Sequence, residues 1–125
     1  MDRNPIGWVE IPVADMDRAI AFYEDVFQFK IQRGQIGPLD MGWFPGNQEQ
    51  KGCSGSLVKH DSYMTSETIG ALIHFSSANV ANELVPIEST GGKVVEKKTL
   101  ISEEIGYSGM FIDSEGNRIA LHSRK

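Results

Sequence analysis

Apolar and polar residues alternate near the N-terminus, and the alternation changes to helical spacing after Asp15. Alternation is typical of a half-buried strand, and here it runs through Trp8, Val9, Glu10, Ile11, Pro12 and Val13. Asp15 is a typical helix N-cap, because its carboxylate can accept the free N–H groups of the first helical turn. Apolar residues then recur every three or four positions, which predicts an amphipathic helix. Its apolar stripe comprises Met16, Ala19, Ile20, Tyr23, Val26 and Phe27.

The same order of elements is repeated further along the chain. After the first helix, apolar runs separated by Gly, Pro and Asn predict strands over 29–33, 40–44 and 54–59. A polar stretch over 60–68 follows, and the pattern then restarts. The second copy comprises a strand over 71–77, a helix from its cap Asn79 to about Ser89, and strands over 93–97, 107–113 and 118–123. Pro86 lies inside this helix and predicts a kink or a short helix.

The two copies align without a gap when Asp15 is placed on Asn79. Self-similarity of this kind indicates a duplicated unit. We therefore predict an α+β fold of two tandem βαβββ modules, whose paired four-stranded mixed sheets surround a cleft. Residues 1–125 are expected to form one domain, with module one over 1–60, a linker over 61–69 and module two over 70–125.

The repeat also predicts which residues face the cleft. A helical crossover makes the first and fourth strands of each module parallel, and equal steps along both would place residues at equal depth. One predicted layer comprises Trp8, Ser56, Leu72 and Ala120, and the next comprises Glu10, Val58, His74 and His122. The opposite face of these strands is apolar and is expected to pack under the helices.

Composition narrows the classes of partner. The formal net charge is -5, which disfavours nucleic acid, because nucleic-acid binding needs clustered Lys and Arg. No apolar stretch is long enough to span a bilayer and no secretion signal is visible, so we expect a cytoplasmic protein without membrane contact. The single cysteine, Cys53, shares strand parity with Leu57 and is predicted to be a buried structural thiol.

Three motifs carry a resemblance to a known superfamily. They are VADMDRAIAFY over 13–23, GGKV over 91–94 and FIDSEGNRI over 111–119. On these motifs the chain resembles, over nearly its whole length, the vicinal oxygen chelate superfamily of glyoxalase I, extradiol dioxygenases and bleomycin- or fosfomycin-resistance proteins. The resemblance implies the duplicated fold and a small-molecule cleft, but no single reaction, because this superfamily hosts many chemistries.

The resemblance also implies where a metal would bind. Metal-dependent members place His or Glu in the first and fourth strands of each module. The matching positions here are Trp8, Ser56, Leu72 and Ala120, and none carries a usual metal ligand. Glyoxalase I activity is therefore not expected, and no cofactor is predicted.

Glu10, His74 and His122 are the candidate catalytic residues, and they leave three functions open. Two histidines and a carboxylate could hold a divalent metal one layer from the usual site, as in Fe(II) dioxygenases. Without a metal, Glu10 or His122 could act as general base or acid in an isomerase- or lyase-type reaction. In a binding protein, the same trio would orient a ligand that is not transformed.

The ligand-binding surface is predicted to be largely apolar. It is expected to comprise Trp8, Trp43, Ser56, Val58, Leu72, Tyr107 and Ala120. The expected partners are a small molecule and a second copy of the chain, because two sheets that each have a bare face must close on each other. Closure within one chain and closure across a homodimer both remain open at this point.

Overall fold

The computed structural model describes residues 5–47 and 49–125, and each half of the chain contains a strand, a helix and three more strands. Module one comprises β1 (Val9–Pro12), α1 (Met16–Phe27), β2 (Gln32–Ile36), β3 (Leu39–Trp43) and β4 (Gly55–Lys59). Module two comprises β5 (Ile73–Ser76), α2 (Val80–Leu84), a 3₁₀ turn (Glu88–Thr90), β6 (Lys93–Ser102), β7 (Gly106–Ile112) and β8 (Arg118–Ser123). The predicted α+β fold of two βαβββ modules is confirmed.

Both modules have the same sheet topology. The strand order is β1-β4-β3-β2 in the first sheet and β5-β8-β7-β6 in the second. The pairs β1–β4 and β5–β8 are parallel, as a helical crossover requires. The other neighbours are antiparallel. Each sheet is therefore mixed, with its first and fourth strands side by side.

The helix α1 begins and ends where its sequence predicts. The Asp15 carboxylate accepts the N–H of Arg18 at 3.0 Å, and Gln28 ends the helix in the left-handed conformation, with φ of 57°. The buried face comprises Met16, Ala19, Phe22, Tyr23 and Val26. This face packs against the first sheet and against module two, so most of the stability of α1 comes from tertiary contacts.

The second helix is short, and this prediction is confirmed. Asn79 caps it by accepting the N–H of Ala81 at 3.1 Å, and regular α-helix stops at Leu84, before Pro86. Proline removes a hydrogen bond and clashes with the preceding turn, which explains the early stop. No helix of residues 5–47 and 49–125 is long and apolar enough to cross a membrane.

A glycine in the third strand of each sheet lets the helix approach closely. A Cβ at Gly42 would meet Met16 Sδ at 3.3 Å, and a Cβ at Gly109 would meet a Leu84 methyl at 3.0 Å. Gly42 pairs with Leu57 and Gly109 pairs with Leu121, so both glycines lie on the helix side of their sheets. This contact is a further mark of the duplication.

One hydrophobic core joins the two modules on the helix sides of both sheets. Phe27 of α1 stacks on Phe75 of β5 at 4.5 Å between ring centroids, and lies 6.5 Å from Phe111 of β7. The strand residues predicted to pack under the helices and found buried are Ile11, Val13, Leu57, Ile119 and Leu121. The other side of each sheet, turned away from the helices, is called the open face below.

The turn over 113–117 connects module two to the start of α1. The Glu115 side chain is fully buried, and its Oε1 accepts the N–H groups of Ala14 at 2.9 Å and Asp15 at 2.7 Å. Its Oε2 accepts a hydrogen bond from Arg18 Nε at 2.7 Å. Gly116 has the positive φ, 89°, that this hairpin turn needs. Its contact with α1 has no counterpart in the sequence prediction.

Two further residues of this turn contact module one. Asp113 accepts a hydrogen bond from the Tyr23 hydroxyl at 2.7 Å, and the Asn117 amide donates to the Pro12 carbonyl at 2.7 Å. Burial raises the pKa of Asp113 above its ordinary value, against the lowering effect of the Tyr23 and Asn117 hydrogen bonds. Burial would also raise the pKa of Glu115, but hydrogen bonds from Arg18, Asp15, Ser114 and Ala14 outweigh it and hold that pKa below its ordinary value.

Replacing Glu115 with Gln is expected to lower the free energy of unfolding by about 2 kcal/mol at pH 7, because hydrogen bonds to a charged acceptor are lost. A carboxyl whose folded pKa is lowered stabilises the fold above its unfolded pKa, and this stabilisation is lost as the pH falls through the folded value. The difference between wild type and Glu115→Gln should therefore shrink on going from pH 7 to pH 3, measured by urea unfolding. Glu103→Gln, in an exposed turn, is the control. A difference that stays constant over this pH range would contradict the role of the Glu115 charge.

Candidate functional site

The open face of each sheet carries a row of side chains that crosses three strands at one depth. In the first sheet, Glu10 of β1 pairs with Ser56 of β4, which pairs in turn with Trp43 of β3. In the second sheet, the equivalent row comprises His74, Ala120 and Met110. Each row thus contains one polar or titratable side chain, one small side chain and one large apolar side chain.

The predicted depths are wrong by two residues in both modules. Val58 pairs with Pro12 and not with Glu10, and His122 pairs with Ser76 and not with His74. The sequence repeat gives the position of a residue along its own strand relative to the helix cap. It does not give the stagger between two neighbouring strands. Because the error is even, every residue keeps its predicted face. Trp8 and Leu72 lie just before β1 and β5, one step beyond these rows.

Glu10, His74 and His122 do not come together in the structure. Glu10 is exposed and accepts a hydrogen bond from the Tyr63 hydroxyl at 2.8 Å. His122 Nε2 lies 2.6 Å from the Ile105 carbonyl oxygen, and His74 is exposed. Across residues 5–47 and 49–125, no three His, Cys, Asp or Glu side chains lie close enough together to hold a metal ion. The trio is divided between two open faces, whereas the modules contact each other through their helix sides.

Tyr107 does not belong to the open face, so its prediction as a cleft residue is wrong. It pairs with Ser123 on the helix side, where its half-buried ring packs against the core and lies 4.4 Å from Lys98 Nζ. The gap-free repeat matched Tyr107 to Trp43, but the register shows that Met110 is the counterpart of Trp43. The connection before β4 is longer than the turn before β8, which displaces the alignment of the third strands.

Cys53 is exposed, so the predicted buried thiol is also wrong. The prediction extended the alternation of β4 backwards, but β4 begins at Gly55. Strand parity therefore does not apply at residue 53, which lies in the connection from β3.

Trp43 and Ser56 form the centre of the open face in the first sheet. A side chain at Gly34 would collide with the Trp43 indole, so this ring lies directly over β2. Ser56 is completely buried, and its Oγ has no hydrogen-bond partner among the residues that the structure describes. A buried hydroxyl without a partner costs roughly 1–3 kcal/mol.

The sequence analysis missed two polar residues on the open face of the second sheet. Ser108 pairs with His122, and its Oγ donates to Glu96 Oε1 at 3.3 Å. Counting alternate residues of β7 back from Met110, the partner of Ala120, would have placed Ser108 on this face. The gap-free repeat gave β7 the wrong parity.

A cavity of about 560 Å³ lies at the end of the first sheet, beside Trp8. The Trp8 side chain is 48% exposed. The remaining lining comes from the two residues before it and from the connection between β3 and β4: Ile6, Gly7, Gly46, Asn47, Gln50, Lys51, Gly52, Cys53 and Ser54. Of the predicted site residues, Trp8 alone contacts this cavity.

Comparison with known proteins identifies the fold. A family model described as "Bleomycin resistance protein-like N-terminal" matches residues 6–38. A glyoxylase-like domain-containing protein from Didymella fabae is 26% identical over 125 residues, which is 98% of this chain and 95% of that protein. Glyoxalase I from Zea mays superposes on 96% of the chain with a TM-score of 0.72 and 18% identity. The chain has the vicinal oxygen chelate fold. It spans only 46% of the length of the Zea mays chain.

Two smaller proteins with this fold match this chain over their whole length. TnmS3, an antibiotic binding protein from Streptomyces sp. CB03234, superposes with a TM-score of 0.67 and 20% identity. The match covers 100% of this chain and 99% of TnmS3. A glyoxalase/bleomycin resistance protein from Albidiferax ferrireducens T118 covers 98% of the chain with 100% of its own, at a TM-score of 0.68 and 15% identity. The predicted resemblance to the vicinal oxygen chelate superfamily is confirmed.

The positions at which the resemblance implies metal ligands do not suit a divalent ion here. They hold an indole at Trp8, a buried hydroxyl at Ser56, and the hydrocarbon side chains of Leu72 and Ala120. Divalent metals in such sites need imidazole, carboxylate or thiolate ligands. The observed stagger places Glu10 beside Ser56 and His74 beside Ala120, so each open face offers one potential ligand in its row.

Replacing Gly34 with Val is expected to displace the Trp43 ring, because the new side chain would occupy the same space. Such overpacking typically costs about 1–3 kcal/mol. In a Trp8→Phe background, tryptophan emission reports on Trp43 alone, and it should shift to longer wavelength as the ring becomes more exposed. Gly7→Ala, whose added Cβ meets no atom within 4 Å, is the matched control. Unchanged emission in the Gly34→Val variant would contradict the assigned position of the indole.

Proposed function

We propose that this protein binds a small organic molecule on the open face of its first sheet and does not transform it. The proposal rests mainly on the position and exposure of Trp8. This indole occupies the first metal-ligand position of the fold, is 48% exposed and lines a cavity of about 560 Å³. Ligand pockets typically measure about 300–1,000 Å³, and exposed aromatic surface is their usual lining.

The shape of the open face supports a ligand that lies flat on it. Its central positions carry the buried side chains of Ser56 and Val58, and the Trp43 ring is held over β2 to one side. Because Ser56 and Val58 are fully buried, a ligand on this face would contact the larger side chains around them. Glu10, which is oriented by the Tyr63 hydroxyl, supplies a polar group at the other end of the row.

Binding without reaction fits Glu10 better than acid–base catalysis does. Enzymes that use Glu as a general acid or base near neutral pH adapt it by burial and by neighbouring groups. Glu10 is exposed, and the structure describes one hydrogen-bond partner for its carboxylate, the Tyr63 hydroxyl. The similar fold of TnmS3, an antibiotic binding protein, points in the same direction.

The proposal includes a homodimer in which a second copy covers the open face. The modules of one chain contact each other through their helix sides, so the two open faces do not pack on each other within the chain. Large apolar groups of this face such as Trp8 and Ile36, 48% and 57% exposed, would lose contact with water on association. Light scattering is expected to give twice the mass of one chain. A strictly monomeric protein would contradict this part of the proposal.

Screening small molecules by thermal shift is expected to yield ligands that raise Tm. A ligand present at 100 times its Kd stabilises the native state by about 2.7 kcal/mol. Trp8→Ala should abolish this stabilisation because the aromatic contact is lost, whereas Glu10→Gln should retain most of it. Mass spectrometry should recover every ligand found in the screen chemically unchanged.

Val85→Ala, a change at an 82% exposed position of module two, is the control for general effects on Tm. Conversion of the hit to a product in wild type but not in Glu10→Gln would establish acid–base catalysis instead. Full retention of binding in Trp8→Ala would place the ligand elsewhere.

A further inference from the structure

We propose that the ligand is a flat aromatic anion, with its ring on the Trp8 indole and its carboxylate on Lys51. This inference rests on the proposed binding function and adds the chemical class of the ligand. It derives from the charge, the aromatic surface and the free donors of the cavity beside Trp8.

Lys51 gives this cavity a charge opposite to that of the whole chain. Among the ten lining residues it is the one with a charged side chain, whereas the chain as a whole has a net charge of -5. The ion pairs found in the described part of the chain involve Arg18 and Arg33, and Lys51 takes part in none of them. A charge-assisted hydrogen bond from its ammonium group to a carboxylate would be its strongest interaction with a ligand.

Asn47 supplies a second donor in the same cavity. Its Oδ1 accepts the backbone N–H groups of Glu49 at 2.9 Å and Gln50 at 3.1 Å. With the oxygen used inside the loop, the amide NH₂ group is what Asn47 can offer to a ligand, and this group only donates. Lys51 and Asn47 therefore both favour acceptor oxygens, such as those of a carboxylate.

Trp8 favours a planar partner. Aromatic rings stack on an indole in offset or edge-to-face geometry, and such pairs contribute about 0.5–1.5 kcal/mol beyond the area that they bury. Cys53 lines the same cavity, and it is both exposed and the single cysteine of the chain. Its thiol can therefore report whether a probe occupies this cavity.

Three probes that share one ring test the inference: 2-naphthoate, 2-naphthamide and 2-naphthylmethylammonium. Calorimetric titration of the full-length protein is expected to show 2-naphthoate binding about ten-fold more tightly than the neutral amide, and the ammonium probe more weakly than either, because a hydrogen bond between charged groups typically contributes this much. Bound 2-naphthoate should also slow the reaction of Cys53 with a disulfide reagent.

Lys51→Gln should reduce the affinity for 2-naphthoate to that for the amide, whereas Lys30→Gln, an exposed lysine outside the cavity, should keep the preference. Equal affinity for all three probes, or an unchanged preference in Lys51→Gln, would overturn the anion assignment. If the probes still bound and Trp8→Ala removed that binding, the proposed function would stand. The inference would also be overturned if 2-naphthoate did not bind, or if it bound and left Cys53 fully reactive. In either case the thermal-shift screen would test the proposed function separately.

Discussion

The buried Glu115 carboxylate is the interaction on which the arrangement of the two modules depends. It lies at the N-terminus of α1, where helix N–H groups lack partners inside the helix and the helix dipole favours negative charge. Arg18 neutralises it, and Asp113 and Asn117 of the same turn hold Tyr23 and the end of β1. Because these contacts join the helix sides of the modules, the open faces of the two sheets do not pack on each other.

The sequence predicts the elements of this fold well because local physics determines them. The caps Asp15 and Asn79 and the early stop before Pro86 all follow from short-range rules and agree with the structure. The assignment of Ile11, Leu57 and Leu121 to the core follows from strand alternation alone. The stagger between parallel strands does not follow from such rules, because loop lengths and helix packing determine it.

The wrong predictions for Tyr107 and Cys53 both arose because a local pattern was extended beyond the segment in which it holds. Tyr107 was assigned through a gap-free repeat, although the unequal connections before β4 and β8 shift the third strands relative to each other. Cys53 was predicted to be buried by extending the alternation of β4 backwards, although this strand begins only two residues later, at Gly55. Contacts between distant segments, such as Glu115 with Arg18, were missed because hairpin turns and helix caps are recognised separately in a sequence. The secondary structure and burial of single positions were thus predicted more accurately than the contacts and register between segments.

The central claim is that a small molecule lies against Trp8, at a position where the resemblance to the vicinal oxygen chelate superfamily implies a metal ligand. A crystal structure of the protein with the tightest ligand from a thermal-shift screen tests this most directly. We expect unmodified ligand on the open face of the first sheet, stacked on Trp8 and within hydrogen-bond distance of Lys51. A ligand bound elsewhere, a chemically altered ligand beside Glu10, or a metal ion coordinated by Glu10 or His74 would contradict it.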